Sequence, residues 1–233
     1  MTAVPAAADP LRTSLVWEAT RAALLEYFHV CHCVKYRCVH NIPPRGPIIL
    51  APNHVSYYDP PLIAAGVPHR IRFMAWDALF RIPGFASLIR AYGAFPVRTK
   101  SADKGAVEAT LDVLRAGGCL MIFPEGMRSK TGRLEPLEKG LARLALSVGA
   151  WIVPVSVIGA FEAYNIHHLL PRPFRPIVVK YHPAFWVEPM EHPREVKART
   201  VEINAQIERH LRRRIAAHER LKAMRSRRRI PAP

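Results

Sequence analysis

The sequence predicts an α/β fold: a single domain built on a mixed, mostly parallel β-sheet flanked by helices. Three observations carry that expectation. Short, almost wholly apolar runs (PIIL at 47–50, CLMIF at 119–123, IVPVSV at 152–157) read as strands buried on both faces. Stretches with apolar residues at helical spacing stand between them. The chain has 233 residues, 50% of them hydrophobic, enough for one sizeable core.

Residues 13–34 read as a helix rich in aromatic and aliphatic side chains, among them Trp17, Leu24, Leu25, Tyr27 and Phe28. Its broad apolar surface suits either core packing or a face that dips into a bilayer. The first strand follows at 47–50, bounded by prolines, and a short helix is expected over 60–66. IRFMA (71–75) is a strand and GFASLIRAY (84–92) a helix. GAFPV (93–97) is a strand whose central Pro96 suits an edge or a bulge. Over 101–116 a helix is capped by Ser101, lined by Val107, Leu111 and Leu114, and stopped by Gly117-Gly118. After the strand CLMIF, residues 138–148 form a helix with Leu141, Leu144, Ala145 and Val148 as its stripe. IVPVSV and PIVVKYH (176–182) are strands, with the proline-rich PRPFRP (171–176) as an ordered loop before the second. A last helix runs from 195 to about 225, striped by Ile203, Ile207, Leu211 and Ile215.

The organisation expected from this order is an apolar helical segment for membrane association (1–44), an α/β core (45–193) and a basic helix and tail (194–233). Charge supports the last boundary. The chain carries a formal net charge of +16, and residues 194–233 hold 13 Lys and Arg against 4 Glu. Such a balance implies an anionic partner: nucleic acid, a membrane surface or a phosphorylated substrate. The tail can equally be a solvated helix. No apolar run approaches the ~20 residues of a spanning helix. A basic n-region followed by an apolar core is absent, so no secretory signal is expected. The expected location is the cytoplasmic face of the cell membrane, peripheral or monotopic.

Four cysteines bear on metal and redox chemistry. Cys31, Cys33 and Cys38 lie near His29, His32 and His40, but the spacing is not that of zinc ligand pairs. Reduced thiols are the expectation, with no metal.

In open α/β sheets, sites form at the carboxyl ends of strands. Three strand ends here carry polar groups. The first leads into NHVSYYD (53–59), with His54 five positions before Asp59. Positions five apart sit about 140° from each other on a regular helix, so the two side chains can meet only if the segment bends. A bend would place the carboxylate on one imidazole nitrogen and leave the other free to accept a proton. Equally, Asp59 before Pro60 makes a good helix N-cap, with His54 a structural histidine. The GAFPV strand leads into Arg98. CLMIF leads into PEGMRSKTG, where Gly126 allows a tight turn and Arg128 offers a planar fork of donors that matches a phosphate. A surface ion pair from Glu125 to Arg128 is the alternative. Lys139, opening the next helix, adds a cation near a helix N-terminus or is an ordinary solvated lysine.

Taken together these blocks resemble those of the glycerolipid acyltransferases, the family of 1-acylglycerol-3-phosphate acyltransferase. NHVSYYD is similar to its Asn-His-x4-Asp box, GAFPVR (93–98) to its second block, FPEGMRS (123–129) to its third and IVPVSV to its fourth, in family order. The resemblance implies transfer of a fatty acyl group from a thioester, acyl-CoA or an acyl carrier protein, to a hydroxyl of a phosphorylated glycerolipid in phospholipid biosynthesis. The acceptor it implies is 1-acyl-sn-glycerol-3-phosphate, with glycerol-3-phosphate or another lysophospholipid as the alternative. It makes His54 the general base and Asp59 its orienting partner. Arg98 and Arg128 would hold the acceptor phosphate, Glu125 and Gly126 shape that loop, and Ser129, Lys139 and Pro154 flank the cleft. The helix after the third block opens with LEKG (137–140), Lys139 included, where the family pattern has a more basic or aromatic lead-in. Tyr57 and Tyr58 occupy variable positions and are expected to pack against acyl chain or acceptor. The partners expected are therefore the thioester donor, the acceptor lipid and an anionic membrane surface, with no cofactor beyond the thioester. A non-catalytic membrane- or nucleic-acid-binding protein is the rival class, though no zinc-finger, RRM or KH pattern is present.

Overall fold

The computed structural model describes residues 15–91, 93–97 and 104–227. Arg98 and Ser101 lie outside the described residues. Within these limits eight strands form one sheet: β1 (Lys35–Arg37), β2 (Ile48–Pro52), β3 (Ile71–Trp76), β4 (Ala94–Val97), β5 (Cys119–Met121), β6 (Ala150–Ile158), β7 (Val178–Tyr181) and β8 (Phe185–Val187). Their order is β1-β7-β6-β2-β5-β3-β4, with β8 beside β6. β6, β2, β5, β3 and β4 run parallel to one another, β7 and β8 pair antiparallel with β6, and β1 runs parallel to β7. The mixed, mostly parallel sheet expected from the alternation of elements is therefore present. Pro96 sits on β4, the edge strand, where its missing N–H leaves no gap in a ladder.

Helices cover both faces. β2 is buried along its whole length, and successive side chains enter opposite cores. Ile48 and Leu50 join Leu62, Ile63, Phe73 and Val153 in one core. That face is covered by α1 (Leu15–His32), through Trp17 and Phe28, and by α2 (Asp59–Gly66). Ile49 and Ala51 face the other core, with Leu120, Ile152 and Leu146. There the cover is α4 (Lys104–Arg115), α5 (Gly140–Val148) and α7 (Pro193–Arg227). A short helix α3 (Phe85–Ala91) follows β3, and α6 (Ala160–Tyr164) follows β6.

The long basic helix is part of this body. Ile203, Ile207 and Leu211, four apart, are at most 1% exposed and pack with Leu141 and Ile152. The stripe read for α4 is rotated by one position: Ala106, Thr110 and Leu114 are buried, whereas Val107 is exposed. Here the i, i+4, i+8 row that includes the small Ala106 lets the helix lie close to the sheet. β1, β8 and α6 carry no periodic pattern of their own. β1 forms because Lys35 to Arg37 register against Val178 to Lys180. Gly159, at φ +87°, turns β6 into α6, and a Cβ there would meet the Pro176 carbonyl oxygen at 2.2 Å.

Among the described residues no helix is long and apolar enough to cross a membrane. The packing of α7 sets a stability expectation. Ile207→Ala removes a fully buried side chain and should lower unfolding free energy by about 2–5 kcal/mol, measured by urea titration. A loss no larger than that of an exposed substitution would place the helix outside the cooperative unit.

Candidate active site

The parallel strands β5, β2 and β6 lie side by side, so their carboxyl ends open onto one edge of the sheet. β2 delivers Asn53 and His54 there. Asn53 acts as one more rung of the ladder by means of its side chain. Its Oδ1 accepts from the Val157 N–H at 2.8 Å, and its Nδ2 donates to the Val157 carbonyl at 3.0 Å. The start of the next loop is thus tied to the central strand.

The loop then bends as the His-Asp spacing requires. Asp59 begins α2 but its carboxylate turns back over the preceding residues. Oδ2 accepts from the Val55 N–H at 2.6 Å, the Ser56 N–H at 2.7 Å and the His54 Nδ1 at 2.8 Å. Because the acceptor is a carboxylate oxygen, Nδ1 carries the proton, and Nε2 presents a lone pair. The alternative use of Asp59 as an N-cap is not realised: Tyr58 holds the cap position, and no side chain caps the helix. Asp59 is fully buried, and the His54 side chain is 12% exposed. The imidazole stacks on Phe123, with ring centroids 3.7 Å apart and planes at 19°.

The second wall is the FPEG turn after β5. The Gly126 N–H donates to the Phe123 carbonyl at 3.0 Å, and Gly126 takes φ +73°, which a side chain would disfavour. Glu125 spans the two loops. Its Oε1 accepts from the His54 backbone N–H at 2.7 Å, and its Oε2 from the Glu135 N–H at 2.8 Å. Burial pushes its carboxyl up to about 7, against the pull of those two backbone donors. Ser129 adds a third tie, its N–H donating to the His54 carbonyl at 2.8 Å.

Arg128 stands on the same rim. Its guanidinium lies 4.1 Å above the Tyr57 ring, and the side chain is otherwise exposed. The Glu125–Arg128 ion pair weighed from sequence does not form, since both Glu125 oxygens are engaged by backbone N–H groups. His54, Asp59, Glu125, Gly126, Arg128 and Ser129 are therefore brought together; Arg98 lies outside the described residues. Lys139 holds the cap position of α5 and lines a recess of about 100 Å³ with Arg143 and Lys197, to which no NHVSYYD residue contributes. Pro154 is buried opposite Ala51 within β6, beneath the rim rather than on it.

Four contributors escaped the sequence reading. Asn53 and Phe123 lie inside the quoted blocks, but nothing in one sequence shows that an amide will extend a ladder or that a phenyl ring will underlie an imidazole. Ser56 donates its hydroxyl to the Tyr164 carbonyl at 2.6 Å, and that carbonyl also accepts from the Tyr57 N–H at 3.1 Å. Tyr164 sits 105 residues after Asp59 on an irregular helix, and no local pattern marks it. The cysteines are free, and burial raises the Cys119 thiol. Among the described residues no cluster of His, Cys, Asp and Glu could hold a metal ion.

The Glu125 latch makes stability depend on pH. Its carboxyl titrates near 7 in the fold against an ordinary value of 4.5. A raised value means that its contribution is fully present below 4.5 and is lost as pH rises through about 7. In thermal melts, wild type should lose stability relative to Glu125→Gln across that window, by several degrees. A difference that stays constant over the window would remove the burial effect.

Comparison with known proteins gives this arrangement its relatives. A family model described as acyltransferase matches residues 33–158, more than half of the chain. A 1-acyl-sn-glycerol-3-phosphate acyltransferase of Cocos nucifera is 36% identical over 133 residues, 55% of this chain and 42% of the relative. One from Borreliella burgdorferi is 29% identical over 119 residues, 50% of this chain and 48% of the relative. A lyso-ornithine lipid O-acyltransferase of Pseudomonas aeruginosa is 30% identical over 115 residues, 49% and 44% of the two chains. The chain thus spans less than half the length of each of these relatives. The crystal structure of PlsC, the 1-acyl-sn-glycerophosphate acyltransferase of Thermotoga maritima, is similar at a TM-score of 0.64 and 26% identity, covering 83% of this chain and 79% of that one. With a family match across β1 to β6 that includes both walls of the cleft, the chain belongs to the acyltransferase family.

Proposed function

We propose that the protein transfers a fatty acyl group from a thioester donor to the free hydroxyl of 1-acyl-sn-glycerol-3-phosphate, a step of phospholipid biosynthesis at the cytoplasmic face of a membrane. The observation that carries this reading is the fixed tautomer of His54, held by a carboxylate oxygen 2.8 Å from Nδ1. An alcohol is a weak nucleophile at neutral pH. Nε2 takes the hydroxyl proton while the alcohol oxygen bonds to the thioester carbonyl carbon. The tetrahedral oxyanion then collapses, the C–S bond breaks, and the leaving thiolate takes the proton back from the imidazolium. Asp59 balances the charge that develops on the ring, and the Phe123 face, negative in its quadrupole, favours the same state. General base catalysis of this kind contributes ~10²–10⁴ in rate. No covalent acyl-enzyme is needed, and the thiol of Cys119, fully buried in β5, is out of reach of a substrate.

Arg128 supports a phosphorylated acceptor. Its exposed fork is stationed over Tyr57, three residues beyond the base, where it can grip a phosphate while the hydroxyl approaches Nε2. A second reading keeps the chemistry and changes the acceptor to another lysolipid. It is favoured by the likeness to the enzyme named for lyso-ornithine lipid. The donor is read as acyl-CoA or an acyl carrier protein thioester.

His54→Ala should abolish thiol release from an acyl thioester in the presence of acceptor, with the far-UV spectrum unchanged; full activity would remove the base. Arg128→Ala should raise KM for a phosphorylated acceptor by roughly ten- to a hundredfold, from a charged hydrogen bond of ~1.5–3 kcal/mol. Mass spectrometry of products from an acceptor panel separates the two readings: equal use of acceptors with and without phosphate would favour the second.

A further inference from the structure

The loop between α6 and β7 is built outward beside the cleft. Leu169, Leu170 and Phe174 are 91%, 72% and 76% exposed, the largest such group on any one loop among the described residues. Phe174 is also held at φ +59°, a left-handed conformation that a bulky residue rarely adopts. Hydrogen bonds pin the loop at both flanks and in between. At one end His167 Nε2 lies 3.0 Å from the Lys130 carbonyl, beside the turn that carries Arg128. At the other the Phe174 N–H donates to the Cys31 carbonyl at 2.7 Å, and the Ile177 N–H to the His32 carbonyl at 3.1 Å. In between, the Arg172 N–H donates to the Ala163 carbonyl at 2.8 Å. The backbone is therefore ordered while its apolar side chains point away from any core.

We propose that this loop is a docking element for an anionic lipid bilayer, with Leu169, Leu170 and Phe174 inserted among the acyl chains and Arg172 and Arg175 at the headgroups. Large exposed apolar groups rimmed by charge mark interaction surfaces. The alternation Leu-Leu-Pro-Arg-Pro-Phe-Arg decides between occupants. A second copy of the chain would bring like charges face to face on a two-fold axis, and a net charge of +16 disfavours that pairing further. A surface of anionic phosphates over hydrocarbon matches both features at once. Placement adds a reason of its own. Tyr164, just before the loop, holds the catalytic segment through Ser56 and Tyr57, so the docked face and His54 share one border. A membrane-embedded acceptor then reaches the base by moving sideways along the bilayer surface. This last step rests on the lipid acceptor proposed above; the docking itself does not.

The test uses the full chain and sedimentation with vesicles of phosphatidylcholine and phosphatidylglycerol. Leu169→Ser, Leu170→Ser and Phe174→Ser combined should weaken partitioning by at least about thirtyfold, the scale set by three partly inserted apolar side chains. Because all three side chains are exposed, the thermal midpoint should not fall. In a second variant, Leu170→Trp, emission should shift to the blue and be quenched by brominated lipid on addition of vesicles. Unchanged partitioning of the triple variant, or a tryptophan that stays in water, overturns the proposal. So does a wild-type dimer in vesicle-free solution that the triple variant abolishes, which would assign the surface to self-association. Activity is read separately. The triple variant should keep wild-type turnover of a short-chain acceptor in solution and lose it only on vesicles. Vesicle binding without acyl transfer to any acceptor would sink the enzymatic reading and leave the docking intact.

Discussion

One oxygen atom organises the loop that carries His54. Asp59 Oδ2 takes three donors, two from the backbone of residues 55 and 56 and one from the His54 ring. The backbone pair matters as much as the imidazole. It forces residues 54–58 into a bend that a helix would not allow, and only in that bend do positions five apart meet. Pro60 helps from the other side by holding Asp59 near the helix start with no N–H to satisfy. The histidine is thereby positioned by the covalent chain and one buried carboxylate, with little freedom to rotate. An imidazole so fixed has little orientational freedom left to lose.

Glu125 extends the same logic between loops that are far apart in sequence. Its two oxygens bond backbone N–H groups of His54 and Glu135, and Ser129 closes a parallel link to the His54 carbonyl. The carboxyl group is thus a brace that fixes the distance between His54 and the arginine-bearing turn. Its burial opposes ionisation, against the pull of the two backbone donors. With both oxygens occupied, Glu125 acts on the rim through where it keeps the turn that carries Arg128.

Much of this was legible in the sequence. Buried strands announced themselves as short apolar runs between turn residues, and β2, β5 and β6 fall where those runs lie. Pro96 marked an edge because proline cannot serve a central ladder. The His54–Asp59 pairing was readable as a bend or a cap, and coordinates were needed to choose. What stayed hidden depends on distant partners. β1 is three residues long and exists through its register with β7, more than 140 residues away. Phe123 beneath the imidazole follows from the register of β2 against β5, which brings Leu50 opposite Met121 and the two strand ends level. Val107 looked like a core residue of its helix, yet the sheet accepts the adjacent row through Ala106 because a small side chain permits closer approach.

The aromatic residues around the loop give the arrangement a further consequence. The Tyr58 hydroxyl shares a 2.6 Å hydrogen bond with that of Tyr27 on α1, and the Phe28 and Tyr164 rings stand 5.2 and 5.3 Å from the ring of Tyr58. Tyr57, next along the chain, carries Arg128 on its face. Both adjacent rings also pack on the Tyr164 ring, Tyr57 at 5.0 Å and Tyr58 at 5.3 Å, so α1, Tyr164 and Arg128 share one aromatic cluster. A displacement of α1 acts on Tyr58 directly, and through a rigid bend of a few residues it acts on the platform beneath Arg128 as well. The positions of His54 and Arg128 are in this way referred to the same helix. That is why α1 belongs with the site in mechanical terms, through Tyr27 and Phe28 against Tyr58.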